Sequence, residues 1–158
     1  MALTKISNNS LSAISSLPAS IPTGALTLIS TTTISSGTSS VEFTSGLDST
    51  YDSYIFKLIN IHPSSASNHD FGFQGSTDGG TTYGVTATTT FFDAYQYETV
   101  ASTGLRYLTS RDLAQSTSLQ PLAVNISVAD ADQAASGYLQ LFNPSSTTFV
   151  KHFISKMN

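Results

Sequence analysis

Residues 76–83, STDGGTTY, make the sharpest polar motif in the sequence. The spacing S-x-D-x-G-x-T-aromatic suits a tight turn. Asp78 can accept hydrogen bonds from turn amides, Gly79 and Gly80 supply positive φ, and Tyr83 packs back beneath them. Ser76, Asp78, Gly80, Thr82 and Tyr83 are therefore expected to form a structural turn, the tight turn of a hairpin. The histidines are His62, His69 and His152. If residues 54–62 and 70–76 paired as a hairpin, His62 and His69 would face each other beside Asp70, the minimum for a metal site. No third ligand or supporting shell is fixed by the sequence, so a polar loop mouth is the simpler reading. His152 reads as a hydrogen-bonded sheet residue on the less exposed face of its strand.

Other candidates fail on spacing. Asp130 and Asp132 start like a calcium loop, but Ala134 cannot coordinate and Gly137 comes too late for the turn. The serines are many, yet none sits in a G-x-S-x-G elbow. Glu42 and Glu98 are the only glutamates, and nothing pairs either with an Asp as glycosidase carboxylates. There is no Gly-rich phosphate loop. No enzymatic activity and no cofactor are expected. The aromatic runs FFDAYQYETV and TGLRYL alternate. Phe91, Asp93, Tyr95 and Tyr97 share one face, and Phe92, Ala94 and Gln96 share the other. One face belongs to a core. The other could serve as a protein-contact or sugar-stacking platform.

Composition narrows the class. The 158 residues carry a net charge of -4 with only 10% charged residues, against about 25% in an ordinary domain. Ser and Thr fill the gap, 27 plus 22 making 49 residues, so the surface is hydroxyl-rich rather than ionic. No basic run exists, which argues against nucleic-acid binding. No apolar run reaches the length of a membrane helix, and no secretory signal is evident, so no membrane partner is expected. The sequence has no Cys, which removes disulfides and thiolate chemistry. With 39% hydrophobic residues, seven Tyr and nine Phe, most of the chain should fold.

Two segments follow. Residues 1–24 hold no aromatic residue, many Ser, and Pro18 and Pro22. Leu3, Ile6, Leu11, Ile14, Leu17 and Ile21 would fall within about 140° on a helix, but Ser-rich sequence and Pro18 allow at most a short helix from 10 to 17. This is an arm with apolar anchors and too little mass to bury them alone. Leu3, Ile6, Leu11, Ile14 and Leu17 are thus the expected partner-binding residues. From 25 to 158 the pattern is β, with strands expected at 26–30, 40–44, 54–62, 70–76, 83–95, 104–109, 122–129, 137–142 and 148–154. Ser110 could cap a short helical turn around 111–115, the alternative being a loop that crosses between sheets. Short strands and frequent turns predict an all-β fold, an antiparallel β-sandwich, the jelly roll being one such arrangement. The sequence stops just after the last strand, so either the chain is an N-terminal fragment or a partner completes its edge.

The 76–83 run resembles the Asp-box turn of sialidases and related β-propellers, with Tyr83 for the usual Trp. Three longer phrases, YDSYIFKLINIHPS, GSTDGGTTYGVT and LQLFNPSSTTFVKHF, resemble β-rich virion proteins of marine tailed bacteriophages. The likeness runs from about residue 25 to the C-terminus, and the Ser-rich arm is similar to leaders that attach phage fibres. It implies a virion location, a role as capsid decoration protein or tail-fibre subunit, capsid or tail proteins as partners, and a homo-oligomer. It supplies no functional residues. A carbohydrate-binding module or receptor-binding adhesin contacting a host glycan is the alternative. A far-UV circular dichroism spectrum should show strand and less than about a tenth helix, well below the usual share; a dominant helical signature would refute the fold class.

Overall fold

The structure is a computed structural model that describes residues 26–98, 100–129 and 132–158. The chain divides into two units, Met1–Thr33 and Ile34–Asn158. In the first, residues 26–33 carry no strand, and Leu26 and Leu28 are exposed. Leu3, Ile6, Leu11, Ile14 and Leu17 lie outside the described residues.

The second unit is all-β with antiparallel sheets, and its strands are β1 (Ser53–Ile61), β2 (His69–Phe73), β3 (Phe92–Gln96), β4 (Thr103–Tyr107), β5 (Gln120–Ile126), β6 (Ala135–Phe142) and β7 (His152–Met157). β1, β6 and β7 form a three-stranded sheet in the order β1-β6-β7, while β2-β5 and β3-β4 are two-stranded ribbons. The expected strands at 26–30 and 40–44 are absent: both runs are irregular and exposed. The long strand expected at 83–95 contracts to β3, and 83–90 contributes only an isolated bridge, Ala87 with Ser116. Thr-rich sequence favours extended backbone, but a ladder needs a partner strand, and the 113–116 stretch bonded to Ala87 and Thr89 is irregular. Likewise residues 148–151 stay outside β7, where the Lys151 ammonium bonds to the carbonyls of Ser146 and Phe149 instead. Around 111–115 the helical turn is a single 3-10 turn, Thr109–Arg111, and Leu108 rather than Ser110 stands at its cap.

Two of the three register breaks in the ladders fall at asparagine. Asn60, with φ of 53°, sits in the register break of β1 between Leu58 and Ile61. Asn125, with φ of 56°, sits in that of β5 between the partners of His69 and Phe71. Asn tolerates left-handed backbone better than the β-branched residues around it, so it absorbs the extra residue. Gly137 is required by close approach. A Cβ there would lie 2.0 Å from the Lys156 carbonyl oxygen.

The core is thin. The buried apolar residues are Tyr54, Leu113, Leu122, Ala135 and Leu139, and no described side chain is fully buried. The β2-β5 ribbon meets the three-stranded sheet through Phe73, edge-on to Phe153 at 4.8 Å. Polar bonding does the remaining joining. Gln120, 4% exposed, opens β5. Its Oε1 accepts from the Thr89 hydroxyl, and its Nε2 donates to the carbonyls of Pro121 at 2.8 Å and Arg111 at 3.4 Å. Thr89 Oγ1 accepts in turn from the Leu113 amide at 2.9 Å. Gln120→Leu should cost about 1–3 kcal/mol by stranding these groups. Gly137→Ala should also destabilise, because the clash is with backbone. Urea-unfolding midpoints check both, and an unchanged midpoint for Gln120→Leu would remove Gln120 from its joining role.

Candidate functional site

The turn at 76–83 is held by its own side chains. Ser76 Oγ donates to Asp78 Oδ1 at 2.7 Å and accepts from the Gly80 amide at 3.0 Å. Asp78 Oδ1 also accepts from the Thr82 amide at 2.8 Å. Gly79 and Gly80 have φ of 70° and 90°. The Tyr83 hydroxyl lies 3.1 Å from where a Gly80 Cβ would stand. The Ser76 hydroxyl, followed by the Thr82 groups, holds the Asp78 carboxyl down at about 2. Burial, then the Glu42 and Asp78 charges, push the Tyr83 phenol up. The turn is a loop closed on itself rather than a link between paired strands. Gly75 O accepts from the Gly84 amide at 3.1 Å, while β2 pairs with β5. All five turn residues come together here, with Ser76 Oγ and Asp78 Oδ1 bonded within the turn.

The histidines do not converge. Because β1 pairs with β6 and β2 with β5, the hairpin that would oppose His62 and His69 does not form. His69 Nε2 bonds Ser65 Oγ at 2.9 Å, and His62 Nδ1 stands 3.1 Å from the Pro63 carbonyl oxygen. Asp70 goes elsewhere: its carboxylate pairs with Arg111 and accepts from the Asn125 amide at 3.1 Å. His152 is exposed, with Ile154 and Lys156, on the outward side of β7, opposite to the expected face. Phe153 provides the packing contact and therefore sets the inward parity. Among the described residues no three His, Asp or Glu side chains are grouped to hold a metal.

The aromatic runs become the β3-β4 ribbon. In its register Phe92 opposes Tyr107, Ala94 opposes Leu105 and Asp93 opposes Arg106. Directly opposed residues share a face. One face carries the Asp93–Arg106 ion pair, with the Arg106 guanidinium 4.5 Å from the centre of the Tyr95 ring. The hydrogen bond to Asp93 holds the Arg106 guanidinium above its ordinary value. The other face is apolar and open: Phe92 is 65% exposed, Leu105 79% and Tyr107 51%. The Phe92 and Tyr107 rings stack with centres 5.1 Å apart. Asp112 fixes this face. Its Oδ1 accepts from the Phe91 amide at 2.7 Å and its Oδ2 from the Tyr107 hydroxyl. That bond pushes the Tyr107 phenol up.

Sequence reasoning placed Phe92 and Ala94 on a shared face. It missed Leu105, which shares the parity of Tyr107 in TGLRYL, and it missed Asp112. The candidate site is this ribbon face, an uncharged strip of Phe92, Leu105 and Tyr107 with the Tyr107 hydroxyl committed to Asp112 and with Gln96 and Thr103 at its end. Such a strip can exclude water against another apolar surface but offers little to orient a polar ligand.

Gly80→Val should destabilise by about 1–3 kcal/mol, because a β-branched residue is strained at positive φ and its Cβ would lie 2.6 Å from Thr44 Cγ2. Asp78 is a carboxyl whose folded value is lowered from 3.8 to about 2. Its contribution is therefore present above about pH 4 and is lost as pH falls through about 2. Asp78→Ala should lower the melting temperature at pH 6, and the gap to the wild type should close on acidification. A gap independent of pH would show that the carboxylate charge is not what holds the turn.

Comparison of the chain with protein-family models, with curated proteins and with solved structures gave no match.

Proposed function

We propose that this chain is a structural protein of a phage virion, a capsid decoration protein or fibre subunit whose work is binding rather than turnover. The observation that carries the reading is the number of open edges. Among the seven strands only β6 has a strand on both sides. An edge strand presents unpaired backbone groups and is normally covered, charged or short. Here the strands carry little charge, and an exposed apolar ribbon lies among them. In this reading the sheets become a β-sandwich completed by neighbouring chains, with the ribbon face at Phe92, Leu105 and Tyr107 as one contact. Leu3, Ile6, Leu11, Ile14 and Leu17 of the arm would supply anchors, each worth about 1.5–3 kcal/mol when fully buried.

The sequence resemblance and the hydroxyl-rich surface support the same assignment. Quantitative mass spectrometry of purified particles should find the chain, at a copy number that follows the capsid lattice for decoration or the tail fibres for a fibre subunit. In solution the full chain should self-associate, and Leu105→Glu should shift it toward monomer in light scattering, since the substitution puts charge where apolar contact is needed. A monomeric chain absent from particles would overturn the proposal.

A further inference from the structure

Three of the five Lys and Arg side chains of the second unit are spent. Arg106 is paired with Asp93 and Arg111 with Asp70, and the Lys151 ammonium donates to two carbonyls. Lys57 and Lys156 are left, and no described residue bonds to either ammonium. They are 99 positions apart in sequence but adjacent rows of one register bring them together. Lys57 opposes Tyr138 across β1 and β6, and Tyr138 opposes Lys156 across β6 and β7. Opposed residues point to the same side, so Lys57, Tyr138 and Lys156 form a straight row over the outer face of the three-stranded sheet. All three are exposed, Tyr138 by 37%. With neighbouring strands 4.7–4.9 Å apart, the two lysine backbones stand roughly 9–10 Å from each other.

The row borders a shallow open depression of about 490 Å³ whose lining includes Ile55, Lys57, Ile59, Ser136, Tyr138 and Gln140. Gln140 Nε2 is donated to Ser53 Oγ at 2.8 Å, which orients the amide and leaves its oxygen to accept. β1, β6 and β7 contain no acidic residue, although the whole chain carries a net charge of -4. The face is thus a local positive patch with an aromatic ring at its centre and hydrogen-bonding groups beside it.

We propose that this outer sheet face, at Lys57, Tyr138 and Lys156, binds an acidic saccharide. A carboxylated or sulfated sugar presents the matching groups. Its anion takes charge-assisted hydrogen bonds from the ammonium groups, its ring carbons cover the Tyr138 ring, and its hydroxyls reach Gln140 and Ser136. Few polar groups on a largely apolar lining are enough to orient such a ligand. A second copy stacked face to face would set lysines against lysines. Two cations are too few for a nucleic-acid backbone. An acidic peptide would satisfy the lysines but gives the central ring and the amide no specific partner. The ribbon face at Phe92 and Tyr107 carries no cation and lies on other strands, so this inference rests on a different surface from the assembly reading.

The test is a titration of the full chain, followed by calorimetry or amide chemical shifts. The probes are a galacturonate tetramer, a chondroitin sulfate tetramer, cellotetraose as the neutral sugar and a tetraglutamate peptide. At least one acidic sugar should bind with an affinity that falls as salt rises, and shifts should centre on β1, β6 and β7. The double variant Lys57→Gln, Lys156→Gln should weaken binding by about tenfold or more, as loss of two charge-assisted bonds requires. Tyr138→Leu, which keeps apolar bulk without the ring, should weaken it as well. All variants should keep the wild-type melting temperature, since the positions are exposed. Failure of both acidic sugars to bind, equal binding of cellotetraose, equal binding of tetraglutamate, or an unaffected double variant would each overturn the proposal.

Discussion

The arrangement of this protein depends on a buried amide. Gln120 is the one described polar side chain among the buried residues, and its amide reaches Thr89, the Arg111 carbonyl and the Pro121 carbonyl of its own strand. Through Thr89 it holds the 83–91 stretch, through the Arg111 carbonyl it holds the 3-10 turn, and through its own strand it holds β2. A buried polar group without partners is costly, so satisfying all of Gln120 fixes where these segments run. Asp112 and Asp70 extend the same seam, the first to Tyr107 and Phe91, the second to Arg111 and Asn125. The exposed ion pairs themselves contribute little energy, about 0–1 kcal/mol each. Their role is positional.

That dependence follows from the thin core. With no fully buried side chain, hydrophobic burial cannot specify the mutual placement of a three-stranded sheet and two ribbons. Among the described residues, Phe73 against Phe153 is the one ring contact joining the β2-β5 ribbon to the large sheet. Geometry is therefore carried by directional bonds, in keeping with a sequence rich in hydroxyls and poor in charge. Open edges and exposed apolar residues are the complement of this economy. Surface left uncovered within one chain is surface for another, which links the packing to the assembly role proposed above.

The two faces considered for binding differ in kind for a clear reason. On the β3-β4 ribbon, charge is gathered on one side by the Asp93–Arg106 pair, leaving the other side apolar. On the β1-β6-β7 sheet no acid is present, so both lysines stay unneutralised around Tyr138. Apolar strips suit a protein neighbour, whereas cations around a ring suit a soluble anion with a carbon face.

Much was legible from local sequence. The Ser76–Tyr83 turn is encoded within eight residues, because its bonds run between neighbours and its glycines mark where φ must be positive. Alternation in FFDAYQ gave the parity of β3, and the β1, β5 and β6 runs were found within a few residues of their ends. What failed was whatever needed a partner. The 83–90 run has strand composition but no neighbouring strand, and His62 and His69 were opposed only under a hairpin that does not form. Likewise His152 faces outward because Phe153 packs inward against Phe73, a contact 80 residues long in sequence. Sequence by itself determined the all-β class, the turn and the face parity of single strands, since these depend on period-2 alternation and local backbone preference. Tertiary structure alone decided which strands pair. Register is a relation between distant segments, and only register sets Lys57, Tyr138 and Lys156 in one row.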